Sequence, residues 1–219
     1  MFLLPTRERP ENLERFLQCY NDTRAESPVT IFLDECDRSL GDYLTLSFPE
    51  GVSYELAERI KPAQRMNNFV SKNRDLDWYG ILADDVIPLT VFWDRILVSR
   101  AGKNKIAYPN DLIQRENLCT HPVVGGDIVR DLGFLILPGV KHYFGDNVLH
   151  VVGQCIGGLE YCEDVILRHE HNIITGIKDG VTMQLETSYS EDEAAFKTWV
   201  DLPETRSKLI SMRVRYASG

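Results

Sequence analysis

The sequence predicts an α/β fold, a single domain on a mostly parallel sheet with helices on both faces. Three observations carry this. Short strand-like apolar runs, FLLP at 2–5, VTIFL at 29–33 and WYGIL at 78–82, alternate with longer segments of helical period. Each run breaks off into polar residues, Thr6-Arg7, Asp34 and Asp84-Asp85, as strands of a parallel sheet do at their common carboxyl edge. The 219 residues, 43% hydrophobic and 26% charged, suffice for one substantial core, with no internal repeat or linker.

In chain order, FLLP is a first strand ended by Pro5, and PENLERFLQCYN places Leu13, Phe16, Leu17 and Tyr20 on one helical face. Val29 to Leu33 is a second strand closing on Asp34. Residues 54–73 read as helical on both sides of Pro62 and lead into the strand WYGIL. LTVFWDRILVSRAG starts with a helix, and KNKIAYPNDLIQRENLCTHPVVGG reads as strand and loop, with Gly125-Gly126 a turn or a point of close approach. DIVRDLGFL is a helix, and YFGDNVLHVVGQCIGG is a polar turn leading into another. LEYCEDVILRHEHN is a strand with Val165, Leu167, His169 and His171 on one face. Residues 1–180 make the domain and 181–219 a C-terminal extension, which packs on the domain or on a second subunit. Within it Phe196, Trp199 and Val200 stand at helical spacing, and Trp199 has the alternative use of stacking on a sugar.

Composition narrows the function. A net charge of −9 disfavours non-specific attraction to nucleic acid or an anionic membrane. Five cysteines without CxxC spacing argue against a disulfide framework or structural zinc. No apolar run approaches the ~20 residues of a membrane span, and MFLLPTRERP lacks the features of a signal peptide, so a cytoplasmic protein is expected.

Several groups of residues carry chemical possibilities. Asp84 and Asp85 end an otherwise buried strand, either as a turn cap or as oxygen ligands for Mg²⁺ or Mn²⁺, ions bound by one or two carboxylates together with a nucleotide's phosphates. His169 and His171 share one strand face and offer an imidazole ligand, or else form a polar strand end. Asp146 precedes a helix as an N-cap, a role compatible with that of a general base. Thr6, Arg7 and Arg9 offer donors to phosphate, or a solvated loop. The stretch 99–115, with Arg100, Lys103, Lys105 and Arg115, is a solvated loop or a contact for a phosphate backbone. There is no P-loop, no GxGxxG after the first strand and no GxSxG turn, which removes the common NTPase, dinucleotide-binding and hydrolase signatures.

In this order the segments FLLPTRERPENLERFL, IFLDECD, YGILADDVIP, HPVVGGDIVRDLGF, YFGDN and DVILRHEHN resemble the GT-A glycosyltransferases, whose domain is Rossmann-like, and most closely the short family-2-like forms of bacteria and bacteriophages. The resemblance implies transfer of a sugar from a nucleotide-sugar donor, UDP-linked above others, to a hydroxyl acceptor, with a divalent cation, Mn²⁺ or Mg²⁺. Pro5, Thr6, Arg7, Arg9, Asp34 and Asp84 then face the donor. Asp85 binds the metal, with His171 or its neighbour His169 completing the site. Asp146 is the catalytic base, and Gly125, Gly126 and Asp127 belong to an acceptor loop. Ala83-Asp84-Asp85 departs from Asp-x-Asp, and Gly145 stands where many relatives carry Glu. An inverting transferase is expected, acting on a phage-modified DNA base, a virion protein or a glycan. A nucleotidyltransferase is disfavoured because the first loop has no glycine, and a non-catalytic nucleotide-sugar-binding or virion structural protein of the same fold is the alternative.

Overall fold

The structure, a computed structural model, describes residues 1–170 and 188–217. Strand β1 (Phe2–Pro5) is followed by helix α1 (Pro10–Asp22), with Pro10 in the first turn, where its missing N–H costs nothing. Leu13, Phe16, Leu17 and Tyr20 form the buried face of α1, as their spacing predicts. Each large apolar side chain buried this way is worth roughly 1.5–3 kcal/mol. Then come β2 (Val29–Asp34), the short α2 (Leu40–Tyr43), β3 (Val52–Ala57), α3 (Pro62–Lys72), β4 (Trp78–Ile81), β5 (Val86–Pro88) and α4 (Trp93–Ala101). The second half contains β6 (Ile106–Asn110), β7 (Val123–Gly125), α5 (Gly126–Leu132), α6 (Gly145–Ile156), β8 (Leu159–His169), α7 (Tyr189–Asp201) and α8 (Pro203–Ala217).

One expectation is corrected here. Residues before Pro62 are not helical: Val52–Ala57 is a strand paired in parallel with β2 along its whole length, from Val29↔Val52 to Asp34↔Ala57. Pro62 does not interrupt a helix but begins one, at the position where proline is best tolerated. Because β3 is an edge strand, Tyr54 and Leu56 remain exposed on it, and their alternation was masked by neighbouring Glu and Lys that also suit a helix.

The sheet order is β3-β2-β1-β4-β7-β6-β8-β5. Strands β1, β2, β3 and β4 are mutually parallel, and β6 pairs in parallel with β8. β7 is antiparallel to both β4 and β6, so β6 and β8 run in the same direction as β4. β5 is antiparallel to β8. One sheet edge collects the carboxyl ends of β1, β2, β4, β6 and β8 together with the amino ends of β7 and β5.

Two apolar clusters flank the sheet. One packs α1 and α4, the latter through Trp93 and Leu97, beneath Phe2, Leu4 and Ile31. The other packs α3, α5 and α6 over Leu3, Tyr79 and Ile106, and includes Leu209 and Met212 of α8. Among the described residues no helix is long and apolar enough to cross a membrane.

Candidate active site at the carboxyl edge

Thr6 leaves β1 buried, and its hydroxyl donates to Asp84 Oδ2 at 2.8 Å while lying 2.9 Å from the Tyr43 hydroxyl. Arg9 donates to Asp84 Oδ1 at 3.1 Å, and its backbone N–H donates to the same Tyr43 hydroxyl at 2.9 Å. Both oxygens of Asp84 are thus occupied by the loop after β1. Burial, with Asp85 next to it, raises the Asp84 carboxyl to about 6 even against the attraction of Arg9.

Asp34, at the end of β2, lies between two guanidinium groups. Arg7 reaches Oδ2 at 2.9 Å, and Arg65 of α3 reaches Oδ1 at 3.1 Å while also donating to the carbonyls of Leu33 and Glu55 at 2.9 and 2.6 Å. Arg65 is only 4% exposed, so it ties α3 to the ends of β2 and β3, whereas Arg7 faces the open side.

Asp85 is positioned from the other half of the sheet. Val86 pairs opposite His169, and the N–H of Glu170 donates to the Asp85 carbonyl at 2.8 Å. Asp85 Oδ1 then stands 3.3 Å from His169 Nε2. Burial alone would raise this carboxyl, but His169, with His121 and Arg9 adding to it, outweighs burial and holds it down to about 2. The opposite holds for His169, where burial would lower the imidazole but Asp85, Asp111 and Asp146 raise it. Asp85 Oδ1 is buried and makes no hydrogen bond of good geometry. A buried carboxylate oxygen with an imidazole nitrogen beside it fits a divalent cation. Among the described residues no cluster of three or more His, Cys, Asp or Glu could hold a metal ion, so at this edge the protein itself offers the two groups Asp85 and His169. His171 lies outside the described residues.

Asp146 is not the helix N-cap that its sequence position suggests. Phe144 takes that place in the left-handed region, with φ 66°, and Asp146 falls in the first turn of α6 without a capping bond. Its carboxylate is left available. Burial raises it to about 6, with Asp111 adding and His169 opposing, so Asp146 shares the electrostatic field of the Asp85–His169 pair.

Three sequence-selected residues do not reach this edge. Gly125, Gly126 and Asp127 lie at the carboxyl end of β7, opposite Trp78 at the start of β4, which is the far edge of the sheet. At Gly125 and Gly126 neighbouring backbone leaves no room for a side chain. A Cβ on Gly125 would lie 2.3 Å from the Lys103 carbonyl carbon, and one on Gly126 2.1 Å from the Leu76 carbonyl oxygen. Asp127 pairs with Arg130 at 2.6 Å. Pro5 sits at the end of β1 in register with Phe32.

Other residues at the edge were missed. The amino end of the same HPVVGGD segment brings buried His121, with φ 50°, to within 4.7 Å of the His169 ring. Buried Asp111, after β6, accepts the N–H groups of Ile113, Gln114 and Arg115 at 2.7–2.9 Å and the Thr120 hydroxyl at 2.9 Å, and its carbonyl accepts the His169 N–H at 3.2 Å. The Asn-Asp pair after a strand is a turn signal that could have flagged Asp111. Tyr43 and Arg65 carried no local signal beyond a polar group amid a buried face.

No known sequence family matches the chain, and no curated protein resembles it closely enough to be matched. Solved structures do. Glucosyl-3-phosphoglycerate synthase from Mycobacterium tuberculosis, in complex with Mn²⁺, UDP and phosphoglyceric acid, superposes with a TM-score of 0.58 at 10% identity, over 92% of this chain and 78% of that one. A mannosyltransferase from Pyrobaculum calidifontis, in complex with GDP-mannose and Mn²⁺, gives 0.55 at 9% identity, over 100% and 74%. The mycobacterial synthase with Mg²⁺ and UDP gives 0.53 at 10% identity, over 86% and 76%. The chain has the fold of the GT-A nucleotide-sugar glycosyltransferases.

Proposed function

We propose that this protein is a metal-dependent glycosyltransferase that moves a sugar from a nucleotide-sugar donor to a hydroxyl acceptor. The observation that carries the reading is the half-buried Asp85–His169 pair, 3.3 Å apart, in which the buried Asp85 Oδ1 faces the imidazole without a hydrogen bond of good geometry, beside a second acid, Asp84, that the first loop locks in place. The like-folded enzymes bind Mn²⁺ or Mg²⁺ with UDP, or Mn²⁺ with GDP-mannose, which supports the same class of cation and donor here.

A bound Mn²⁺ or Mg²⁺ would supply positive charge to the diphosphate leaving group. Asp85 and His169 would hold that ion. Arg7 and Arg9, on the loop after β1, bind and orient the donor's nucleotide and phosphate, and Asp34 meets its base or ribose. Asp84 faces the ribose or the sugar. Asp146 takes the proton of the acceptor hydroxyl as it attacks the anomeric carbon from the side opposite the leaving group, giving inversion. Its carboxyl, raised to about 6, is basic enough to help and still ionised at neutral pH.

The basic stretch gives a DNA acceptor no support. Arg100 pairs with Asp164 at 2.5 Å, Lys103 with Asp77 at 2.9 Å and Lys105 with Glu160 at 3.3 Å, so three of its four cations are already engaged. A small-molecule, protein or glycan hydroxyl remains the better reading of the acceptor. Trp199 packs edge-on against Phe134, which favours a core role over sugar stacking.

Calorimetric titration with UDP-glucose and GDP-mannose, with and without Mn²⁺, on the wild type and Asp85→Ala tests the proposal. Binding that needs both Mn²⁺ and Asp85 supports it. Binding indifferent to both overturns the cation site, and no binding by either donor moves the chain to a non-catalytic role.

A further inference from the structure

We infer that Asp192, on α7, is a positioning residue for Asp146: by gathering the backbone N–H groups of Lys141, His142 and Tyr143 on one buried carboxylate, it fixes where α6 begins and so where the base stands. The inference rests on the reading of Asp146 as the base and extends the site to the C-terminal helices.

Asp192 is 0% exposed. Its Oδ1 accepts the N–H of Lys141 at 2.8 Å, and its Oδ2 accepts those of His142 and Tyr143, each at 2.9 Å. Three successive amides converging on one anion leave that loop a single arrangement, because turning any one of them away strands a buried charge. The next residue, Phe144, turns the chain through the left-handed region into α6. A phenylalanine holds that conformation only where its surroundings impose it. Here α7 imposes it as well: the Phe144 ring stacks on Phe196 with centroids 5.5 Å apart and lies 5.2 Å from the Tyr189 ring. Lys141 also forms an ion pair with Glu191, so α7 grips the loop through backbone, ring and charge.

Asp146 follows two residues later. Its carboxylate makes no hydrogen bond of its own among the described residues, so its place depends on where the helix starts. From the opposite side only its main chain is held, by the Cys119 thiol donating to the Asp146 carbonyl at 3.3 Å. One clamp at the helix entrance is what a base without its own tether requires.

Amide hydrogen exchange and a carbon-detected titration of the Asp146 carboxyl, both by NMR without donor, test the inference on the wild type, Asp192→Asn and Phe196→Ala. In the wild type the amides of residues 141–143 should exchange slowly although they lie in a loop. In Asp192→Asn they should exchange at least ~10-fold faster. The Asp146 midpoint should then fall towards the ordinary carboxylate value as water reaches it. The charged and titratable groups that face Asp146, His169 of β8, Asp111 after β6 and Cys119, are unchanged in both variants, and Phe196→Ala also keeps the Asp192 charge, so a midpoint moved in both variants reports a moved base. Free-loop exchange in the wild type, or a variant that opens the loop while the midpoint stays, overturns the inference. Should Asp192→Asn not fold, Phe196→Ala keeps the carboxylate and removes the ring, and it must show the same downward shift in smaller measure or the inference fails. Turnover that survives Asp146→Asn would instead sink the base assignment and leave the clamp as measured.

Discussion

His169 Nε2 stands 3.3 Å from Asp85 Oδ1, and a backbone ladder rather than either side chain sets that distance. Val86 faces His169 across β5 and β8, and Glu170 N–H donates to the Asp85 carbonyl at 2.8 Å. Because the strand register sets the two residues side by side, a cation bound as proposed would require little reorganisation of the protein. Removing either partner should therefore abolish metal dependence without collapsing the fold. We expect Asp85→Ala and His169→Ala each to weaken Mn²⁺-dependent binding of the donor by ~100-fold or more, as loss of a direct ligand should exceed the 10–100-fold typical of outer-shell changes. Calorimetry against UDP-glucose and GDP-mannose, with far-ultraviolet circular dichroism as the folding control, measures this, and donor affinity within a few-fold of wild type in both variants would contradict it.

Asp146 offers a prediction about pH with a definite sign. Burial raises its folded-state carboxyl from the ordinary 3.8 to about 6. The folded form therefore prefers the protonated acid, so the stability this group contributes is full below about pH 4 and is lost as pH rises through about 6. Asp146→Asn, which stays neutral, should stabilise the protein at pH 7.5 by on the order of 1–2 kcal/mol, discounted for the partial exposure of the site, and by nothing at pH 3.5. Turnover should run the other way, rising with pH to a plateau above about 6 in the wild type and falling in the variant by ~10²-fold or more. Urea unfolding at the two pH values, beside a pH–rate profile, checks both halves. Equal stability change at both pH values would show that burial does not hold the carboxyl up.

Arg7 and Arg65 grip the same carboxylate of Asp34 but should fail differently. Arg65 is buried, and its loss leaves Asp34 Oδ1 and the carbonyls of Leu33 and Glu55 without their donor, so Arg65→Ala should cost roughly 3 kcal/mol, as for other broken buried pairs. Arg7 lies on the open side, and Arg7→Ala should cost under about 1 kcal/mol in stability while raising the Kd for the nucleotide several-fold. Thermal unfolding and nucleotide titration of the two variants separate the roles. An Arg7 variant that unfolds early and binds normally would reverse the assignment.

Much of this was legible in the sequence because the strands that build the edge are short apolar runs ending in polar residues. Phe2–Pro5, Val29–Asp34 and Trp78–Ile81 form where the runs predict, and Thr6, Asp34, Asp84 and Asp85 follow from that. What was not legible depends on strand direction and on distant pairing. Nothing local says that β7 runs against β4, and that reversal alone sends Gly125-Gly126 to the far edge and His121 to the near one. β3 reads as helix in the sequence because a strand at the sheet edge, paired on one side only, can keep a helix-compatible composition when one face stays in water. Arg65 was invisible because a buried arginine is recognised only by its acceptors.

The reversal at β7 places Gly125 and Gly126 across the sheet from the candidate site. If Gly125 and Gly126 served an acceptor, substituting them would disturb turnover before stability. Their surroundings say the opposite: the Cβ of an alanine at 126 would meet the Leu76 carbonyl oxygen at 2.1 Å, and backbone rather than a flexible side chain is in the way. The Gly126 N–H, at the start of α5, also donates to the Asp77 carbonyl at 2.7 Å, so the chain there cannot withdraw without losing that bond. Gly126→Ala should therefore destabilise the fold by about 2–3 kcal/mol, at the upper end of overpacking costs. Donor affinity and the pH dependence of turnover should be unchanged at temperatures where the variant is folded, since the site lies across the sheet. Thermal unfolding paired with titration of Mn²⁺ and nucleotide decides it, and a variant of normal stability with impaired transfer would return these glycines to the acceptor side.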